Sequence, residues 1–363
     1  MGQPQGLLWK SEPRTLLKHQ VYRGYLGCWM GKLCQRFNYA AIVDAFAGPG
    51  EYLDGPDGSS IVIAKTFLEH SRRDRFNTLR LVCSEKRQDR RDHLAGLLAA
   101  LPKTPKLVSN VLPPGTALDR LDELNFAAHG NDSGIPALWI LDPFDINSLP
   151  LDLVRRCLAQ TRDEVLITWF ADEIYRFCGD PNKHEALNRH FGGANWKEAL
   201  KVEGESARKA KLQRIYRDSL ESLGSVYTEA FSISSKNEAA RYSIVFATHN
   251  PAGLQCFNQV KWRMDNYKGE VVNEFRGTEQ LDIFGGEEPL VDRLREWLES
   301  LKGQKKSLHE LTEQTFRLGF KKTHLRNVLT AMAGDGMAVR ESPLESRSPW
   351  PDESIVRFYG SSD

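Results

Sequence analysis

The chain has 363 residues, 40% of them hydrophobic and 27% charged, with a formal net charge of +1. That length exceeds what one compact core usually holds, so two folding units are expected, and the composition excludes a long disordered or fibrous chain. No apolar run approaches the roughly 20 residues of a bilayer-spanning helix, and no secretory pattern opens the sequence. A cytoplasmic location without membrane contact is expected, with any nucleic-acid contact confined to local patches.

Residues 16–38 place Leu17, Val21, Tyr25, Leu26, Trp29 and Leu33 at helical spacing and predict an N-terminal helix. AAIVDAF (40–46) follows as a short apolar strand, then the turn AGPG, then GSSIVIAKTFLEH as a capped helix, which together make one βα unit. Further strands are predicted at LRLVCSE (79–85), KLVSN (106–110), ALWILDP (137–143), EVLITWF (164–170) and YSIVFATH (242–249), with helical stretches between them. This alternation predicts an α/β fold, a doubly wound Rossmann-type sheet. Residues 172–236 are too long and too charged for one crossover and are read as a helical insertion within a unit covering 1–268. Residues 269–286 are read as a linker hinged at Gly285 and Gly286, and 287–363 as a second unit of three short helices and a β-hairpin. That order is the one found in winged-helix domains.

The six cysteines, Cys28, Cys34, Cys83, Cys157, Cys178 and Cys256, stand singly, so neither a zinc site nor a disulfide framework is indicated and no metal is expected. The strongest site signal is DAFAGPG, Asp44 to Gly50. An apolar strand ends there in a turn of small residues, and Phe46, Ala47, Gly48, Pro49 and Gly50 allow a ligand close to the backbone. An acid at the strand end without a third spaced glycine suits the cationic sulfonium of S-adenosylmethionine better than a nicotinamide dinucleotide. The alternative is a tight βα turn without a ligand. Glu85, ending the second strand, is a candidate for the ribose hydroxyls, although its separation from the turn exceeds the usual roughly 20 residues. Asn110 is the candidate for the adenine edge.

LDPFD, residues 141–145, follows a buried strand at the place where a transferred methyl group would meet its acceptor. Asp142 and the Pro143 carbonyl can accept amino hydrogens and Phe144 can stack on a base, as in enzymes that modify flipped bases. The rival reading is a strand-end Asp capping the next helix with Phe144 in the core. Lys18 and His19 reach either over the cleft or into solvent. The basic residues Lys197, Lys201, Arg208, Lys209, Lys211, Arg214 and Arg217 mark either a nucleic-acid surface or a solvated helix. Lys321, Lys322, His324 and Arg326 open the third helix of the C-terminal unit, where phosphates and base edges are contacted in DNA-binding winged helices.

On KHQVYRGYLGCWM, DAFAGPGEY, LDPF, YSIVFATHNPAGL followed by VKWRMD, and the C-terminal unit, the chain resembles the three-Cys-motif partner family over nearly its whole length. The resemblance implies a Rossmann methyltransferase-like domain with a C-terminal winged helix, and a partner protein with a three-cysteine, radical-SAM-like iron–sulfur motif. The N-terminal half is also similar to ribosomal RNA adenine N6-methyltransferases. That similarity implies cofactor binding by Asp44, Gly48 and Gly50, and acceptor binding by Asp142 and Phe144. Asp145 replaces the glycine that commonly follows DPF, and is expected to crowd or recharge the acceptor pocket. The expectation is methyl transfer from S-adenosylmethionine to a base amine of DNA or RNA. The alternative is a non-catalytic ligand-binding or DNA- or protein-binding scaffold.

Overall fold

A computed structural model describes residues 5–224, 226–234, 242–273, 290–343, 345–346 and 348–360. Eight strands, β1 (Tyr39–Asp44), β2 (Thr78–Cys83), β3 (Leu107–Val111), β4 (Ala137–Leu141), β5 (Asp163–Trp169), β6 (Tyr227–Ser234), β7 (Tyr242–Thr248) and β8 (Val271–Asn273), form one sheet. Their order is β3-β2-β1-β4-β5-β7-β6-β8, and β7 alone runs antiparallel to its neighbours. The central strands β4, β5 and β7 are buried at every position, which is why they read as continuous apolar runs rather than alternating ones.

Helices α1 (Pro13–Leu33), α2 (Ser59–Glu69) and α9 (Pro251–Met264) cover one face, with Val21, Tyr25, Leu26 and Phe257 packed on Ile42, Ile140 and Phe246. On the other face α4 (Leu121–His129), α5 (Leu151–Cys157), α7 (His184–Phe191) and α8 (Glu205–Glu221) pack on Val43, Trp139 and Trp169. Helix α3 (Gln88–Ala100) follows β2, and α6 (Ala171–Phe177) follows β5. Strand order reverses between β1 and β4, and at such a reversal the loops beyond the carboxyl ends diverge and leave a crevice.

Helix α1 starts three residues earlier than its apolar spacing predicts because Pro13 supplies the N-terminal turn. The span read as helical insertion does hold α6, α7 and α8, yet its last described residues, from Tyr227, form β6, which pairs with β7. Residues 235 and 236 lie outside the described residues. Val271–Asn273, within the expected linker, pairs with β6 as β8. The remaining linker residues, the hinge at Gly285 and Gly286, and the boundary at 287 lie outside the described residues.

Towards the C-terminus, α10 (Asp292–Glu299), α11 (Leu308–Arg317), α12 (Lys322–Gly334), β10 (Ala338–Ser342) and β11 (Ile355–Phe358) follow the expected order. An additional short strand, β9 (Lys305–Ser307), completes an antiparallel sheet in the order β10-β11-β9. Ser307 and Glu310 form a capping box at the start of α11. This unit is joined firmly to α9. The Trp262 indole donates to the Gly319 carbonyl at 2.8 Å, and the Asn258 amide donates to Phe316 and Phe320 at 2.9 and 3.2 Å. Beside them, buried Lys261 lies 3.1 Å from Glu229, which also faces Arg217 at 3.6 Å.

Two cysteines correct the sequence reading. Cys28 of α1 and Cys256 of α9 form a disulfide across 228 residues of chain, while Cys34, Cys83, Cys157 and Cys178 are free and buried. Spacing could not reveal this pair, because only the packing of α1 against α9 brings the two residues together.

Candidate active site

The turns after β1 and β4 are neighbours because Asp44 is in register with Ile140. Asp44 is fully buried, and its Oδ2 accepts from Ser59 Oγ at 2.6 Å and Ser60 Oγ at 2.7 Å, both on the first turn of α2. Burial raises its carboxyl to about 6, against the lowering effect of these two hydroxyls. The Asp44 Oδ1 atom has no hydrogen-bond partner among the described residues.

The two glycines of the turn do different work. Gly48 has φ +62°, and a Cβ built there would meet only the Trp9 ring, at 3.8 Å. Gly50 has φ +92°, and its Cβ would fall 2.8 Å from Leu94 of α3. Gly48 therefore opens on the crevice, whereas Gly50 lets α3 pack against the turn.

The crevice holds a cavity of about 920 Å³. Phe46 to Gly50 line it on the β1 side, Asp142, Pro143 and Phe144 on the β4 side, and Thr168 at the end of β5 with Phe170, Glu173, Tyr175 and Arg176 after it. Binding pockets for small molecules span roughly 300 to 1,000 Å³, so this one has the capacity for a nucleoside-sized cofactor together with part of an acceptor. Its roof is the segment before α1. Leu53 N–H donates to the Trp9 carbonyl at 2.9 Å, and Ser11 N–H to Asp54 at 2.8 Å. The Trp9 ring sits 5.7 Å from Tyr52 and 5.8 Å from Phe144, with the Arg90 guanidinium 4.7 Å above it.

Asp142 contacts the Lys18 ammonium, which descends from α1 into the cavity. Neither Lys18 nor His19 is on a solvated face. They are 7% and 4% exposed, and burial together with the Lys18 charge lowers the His19 pKa to about 3, so this imidazole is neutral. Phe144 is half-buried at the cavity wall rather than in the core. The capping role considered for Asp142 belongs to Asp145, whose Oδ1 accepts from Asn147 N–H at 2.9 Å and Ser148 N–H at 3.2 Å. Turned onto its own turn, Asp145 does not line the cavity, although its charge acts on Glu173, which does.

Glu85 is buried and outside the cavity lining. Its carboxylate accepts the Arg87 N–H at 2.8 Å. Asn110 is exposed on β3, the edge strand of the sheet, also outside the lining. The basic stretch of the insertion is largely spent on internal contacts. Lys209 is paired with Asp172 and Glu205, Arg208 bonds the Val202 carbonyl, Arg214 pairs with Asp218, and Arg217 bonds Thr228. At the start of α12, His324 packs its ring on Trp262 at 4.2 Å, and burial lowers its pKa to about 4, so it is not a phosphate-binding cation. Lys322 and Arg326 both reach Asp352 at 2.7 Å, and the Lys321 ammonium lies 5.7 Å from the Trp262 ring.

Sequence reasoning missed Trp9, Tyr52, Glu173, Tyr175 and Arg176. The three residues of α6 carried a usable signal, because a helix that starts immediately after a central strand must begin at the carboxyl edge of the sheet. Trp9 carried none. Among the described residues no group of His, Cys, Asp and Glu is arranged to hold a metal ion, and no helix is long and apolar enough to cross a membrane.

No protein-family model matches the chain, and no curated protein matches its sequence. Among solved structures, it is similar to Trm1 from Pyrococcus horikoshii in complex with S-adenosyl-L-methionine, at 12% identity and a TM-score of 0.42, over 72% of this chain and 62% of that one. It is also similar to cofactor-bound Rv0187 from MTB, at 12% identity and a TM-score of 0.33, over 66% and 91% of the two chains. The chain thus spans less than two thirds of the Trm1 length.

Proposed function

We propose that the chain is an S-adenosylmethionine-dependent methyltransferase whose acceptor is a base amine of nucleic acid. The observation that carries this reading is the convergence of the Asp44–Gly50 turn and the Asp142–Phe144 turn on one cavity at the reversal of strand order. The unmatched Oδ1 of Asp44 and the open space at Gly48 fit a cationic ligand lying along the turn. Phe46 to Gly50 would hold the methionine part, with Asp44 beneath them and Glu85 towards the ribose. Asn110 is held within β3 outside the cavity lining, so it would meet the adenine only if the ligand extended past the lining to that strand.

When bound, the cofactor supplies an electrophilic methyl group for direct displacement. The chain's own part is alignment. Asp142 and the Pro143 carbonyl accept the amino hydrogens, Phe144 and Trp9 offer ring faces, and the roof over the cavity excludes water. No covalent intermediate on a side chain is required. The C-terminal unit is proposed as a winged helix that presents α12 to nucleic acid, or to a three-Cys-motif partner.

The test is calorimetric titration of S-adenosylmethionine and S-adenosylhomocysteine into the wild type and into Gly48→Val, followed by transfer of labelled methyl to RNA and DNA with Asp142→Ala as control. Binding by the wild type alone and turnover lost in Asp142→Ala support the reading. A folded wild type that binds neither ligand refutes it. One observation favours a second reading, a non-catalytic scaffold, since Lys18 already engages the Asp142 carboxylate. A scaffold would keep its partner and ligand binding in Asp142→Ala.

A further inference from the structure

The Lys18 and Asp142 side chains come from α1 and from the turn after β4, and both face the cavity. Ion pairs enclosed in this way contribute little net stability, because desolvation offsets the attraction, so stability alone does not account for placing one in a cleft. The pair also leaves capacity unused. Lys18 Nζ contacts Asp142 Oδ2 and has further N–H donors, and among the described residues Asp142 Oδ1 carries no hydrogen bond.

Aromatic rings lie in the same part of the cavity, whose lining also carries charged side chains such as Glu12, Arg14 and Glu51. The Trp9 and Phe144 rings stand 5.8 Å apart, Tyr52 lies 5.7 Å from Trp9, and the neutral His19 ring lies 6.1 Å from Tyr52. A free carboxylate oxygen next to an ammonium, both beside aromatic faces, is complementary to a planar ring edge on which an N–H adjoins a lone pair.

We propose that Lys18 and Asp142 together recognise an amidine edge on the acceptor, an exocyclic amino group next to an unprotonated ring nitrogen as in adenine and cytosine. Asp142 Oδ1 accepts an amino N–H, and Lys18 Nζ donates to the adjacent ring nitrogen. This rests on the methyltransferase reading and narrows its substrate class. An alkyl amine, or an arylamine without the neighbouring lone pair, leaves the ammonium without its second partner and binds less well. Lys18 is thereby a specificity residue acting with Asp142, and α1, remote in sequence from the turn after β4, delivers it.

The experiment uses the full chain saturated with S-adenosylhomocysteine, so that the cofactor place is filled. Oligothymidylates carrying a single adenine, 1-deazaadenine, cytosine or 3-deazacytosine are titrated by fluorescence anisotropy. Each deaza probe keeps the amino group and ring shape and lacks the ring lone pair. The wild type should bind each parent base about tenfold more tightly than its deaza analogue, the size of one hydrogen bond to a charged donor. Lys18→Met should erase that difference while circular dichroism and the unfolding midpoint report an intact fold, and Lys18→Gln, which retains a donor, should restore part of it. Equal affinities in the wild type, a preference that survives Lys18→Met, or no probe binding by protein that does bind S-adenosylhomocysteine each overturns the proposal. Failure to bind S-adenosylhomocysteine at all removes the methyltransferase reading beneath it.

Discussion

Replacing Asp44 by Asn isolates the energetics of the carboxyl under the cleft. Asp44 is fully buried with a pKa of about 6, roughly two units above that of an aspartate in an unfolded chain. Each unit corresponds to about 1.4 kcal/mol, so ionising this group costs the native state about 3 kcal/mol. The sign follows from proton counts. Between about pH 4 and pH 6 the native state holds a proton that the unfolded chain has released, so this carboxyl's contribution to stability falls as the pH rises through that window. Asparagine keeps an acceptor for a serine hydroxyl and cannot ionise. The unfolding free energy of Asp44→Asn relative to wild type should therefore rise by about 3 kcal/mol between about pH 4 and pH 7, as measured by urea denaturation followed by tryptophan fluorescence. Other buried groups that titrate, such as Glu164 and His190, are present in both proteins and cancel in the difference. A difference that stays flat across the window would refute the assignment of a desolvated, proton-holding carboxyl at the end of β1.

The two turn glycines should separate cleanly. Gly50→Val, pressed against Leu94 at a positive φ, should lose about 3 kcal/mol in thermal unfolding, whereas Gly48→Val should lose about 1 kcal/mol and fail to bind S-adenosylmethionine by calorimetry. Glu229→Ala leaves Lys261 buried without its carboxylate, and should cost about 3 to 5 kcal/mol in urea unfolding. If α12 contacts nucleic acid, Asp352→Asn frees Lys322 and Arg326 to meet phosphates. Duplex binding measured by anisotropy should then tighten, with a salt dependence steeper by about one to two in log–log slope, and an unchanged slope would count against that surface.

The doubly wound sheet was legible because its central strands are buried on both faces and cannot alternate, and because the Asp44 turn follows directly on β1. β6 was not legible. It lies next to the edge strand β8 in a sequence that mixes Thr, Glu and Ser with apolar residues, and it follows a long charged helix that resembles the insertion around it. The turn residues of the site could be found from local chemistry, since strand, small-residue turn and helix are contiguous in sequence. Lys18 was only half legible. Its helix was evident, yet whether it points to water or to Asp142 depends on the packing of α1 across 124 residues of separation. The same holds for the insertion's cations, whose pairing with Asp172, Glu205 and Thr228 needs the fold to exist first.

Helix α9 belongs to two cores at once. Cys256 and Phe257 pack into the sheet core, and Trp262 into the core of the C-terminal unit. The C-terminal unit is therefore not a bead that can be cut from a string. A chain ending after residue 273 would wet the indole of Trp262, strip the Asn258 amide of both carbonyl partners and leave an apolar scar on the helix that is also bonded through Cys256 to α1. Shuffling a different C-terminal unit onto this sheet would have to reproduce that seam, which ties the evolution of the appended unit to that of the helix beneath it.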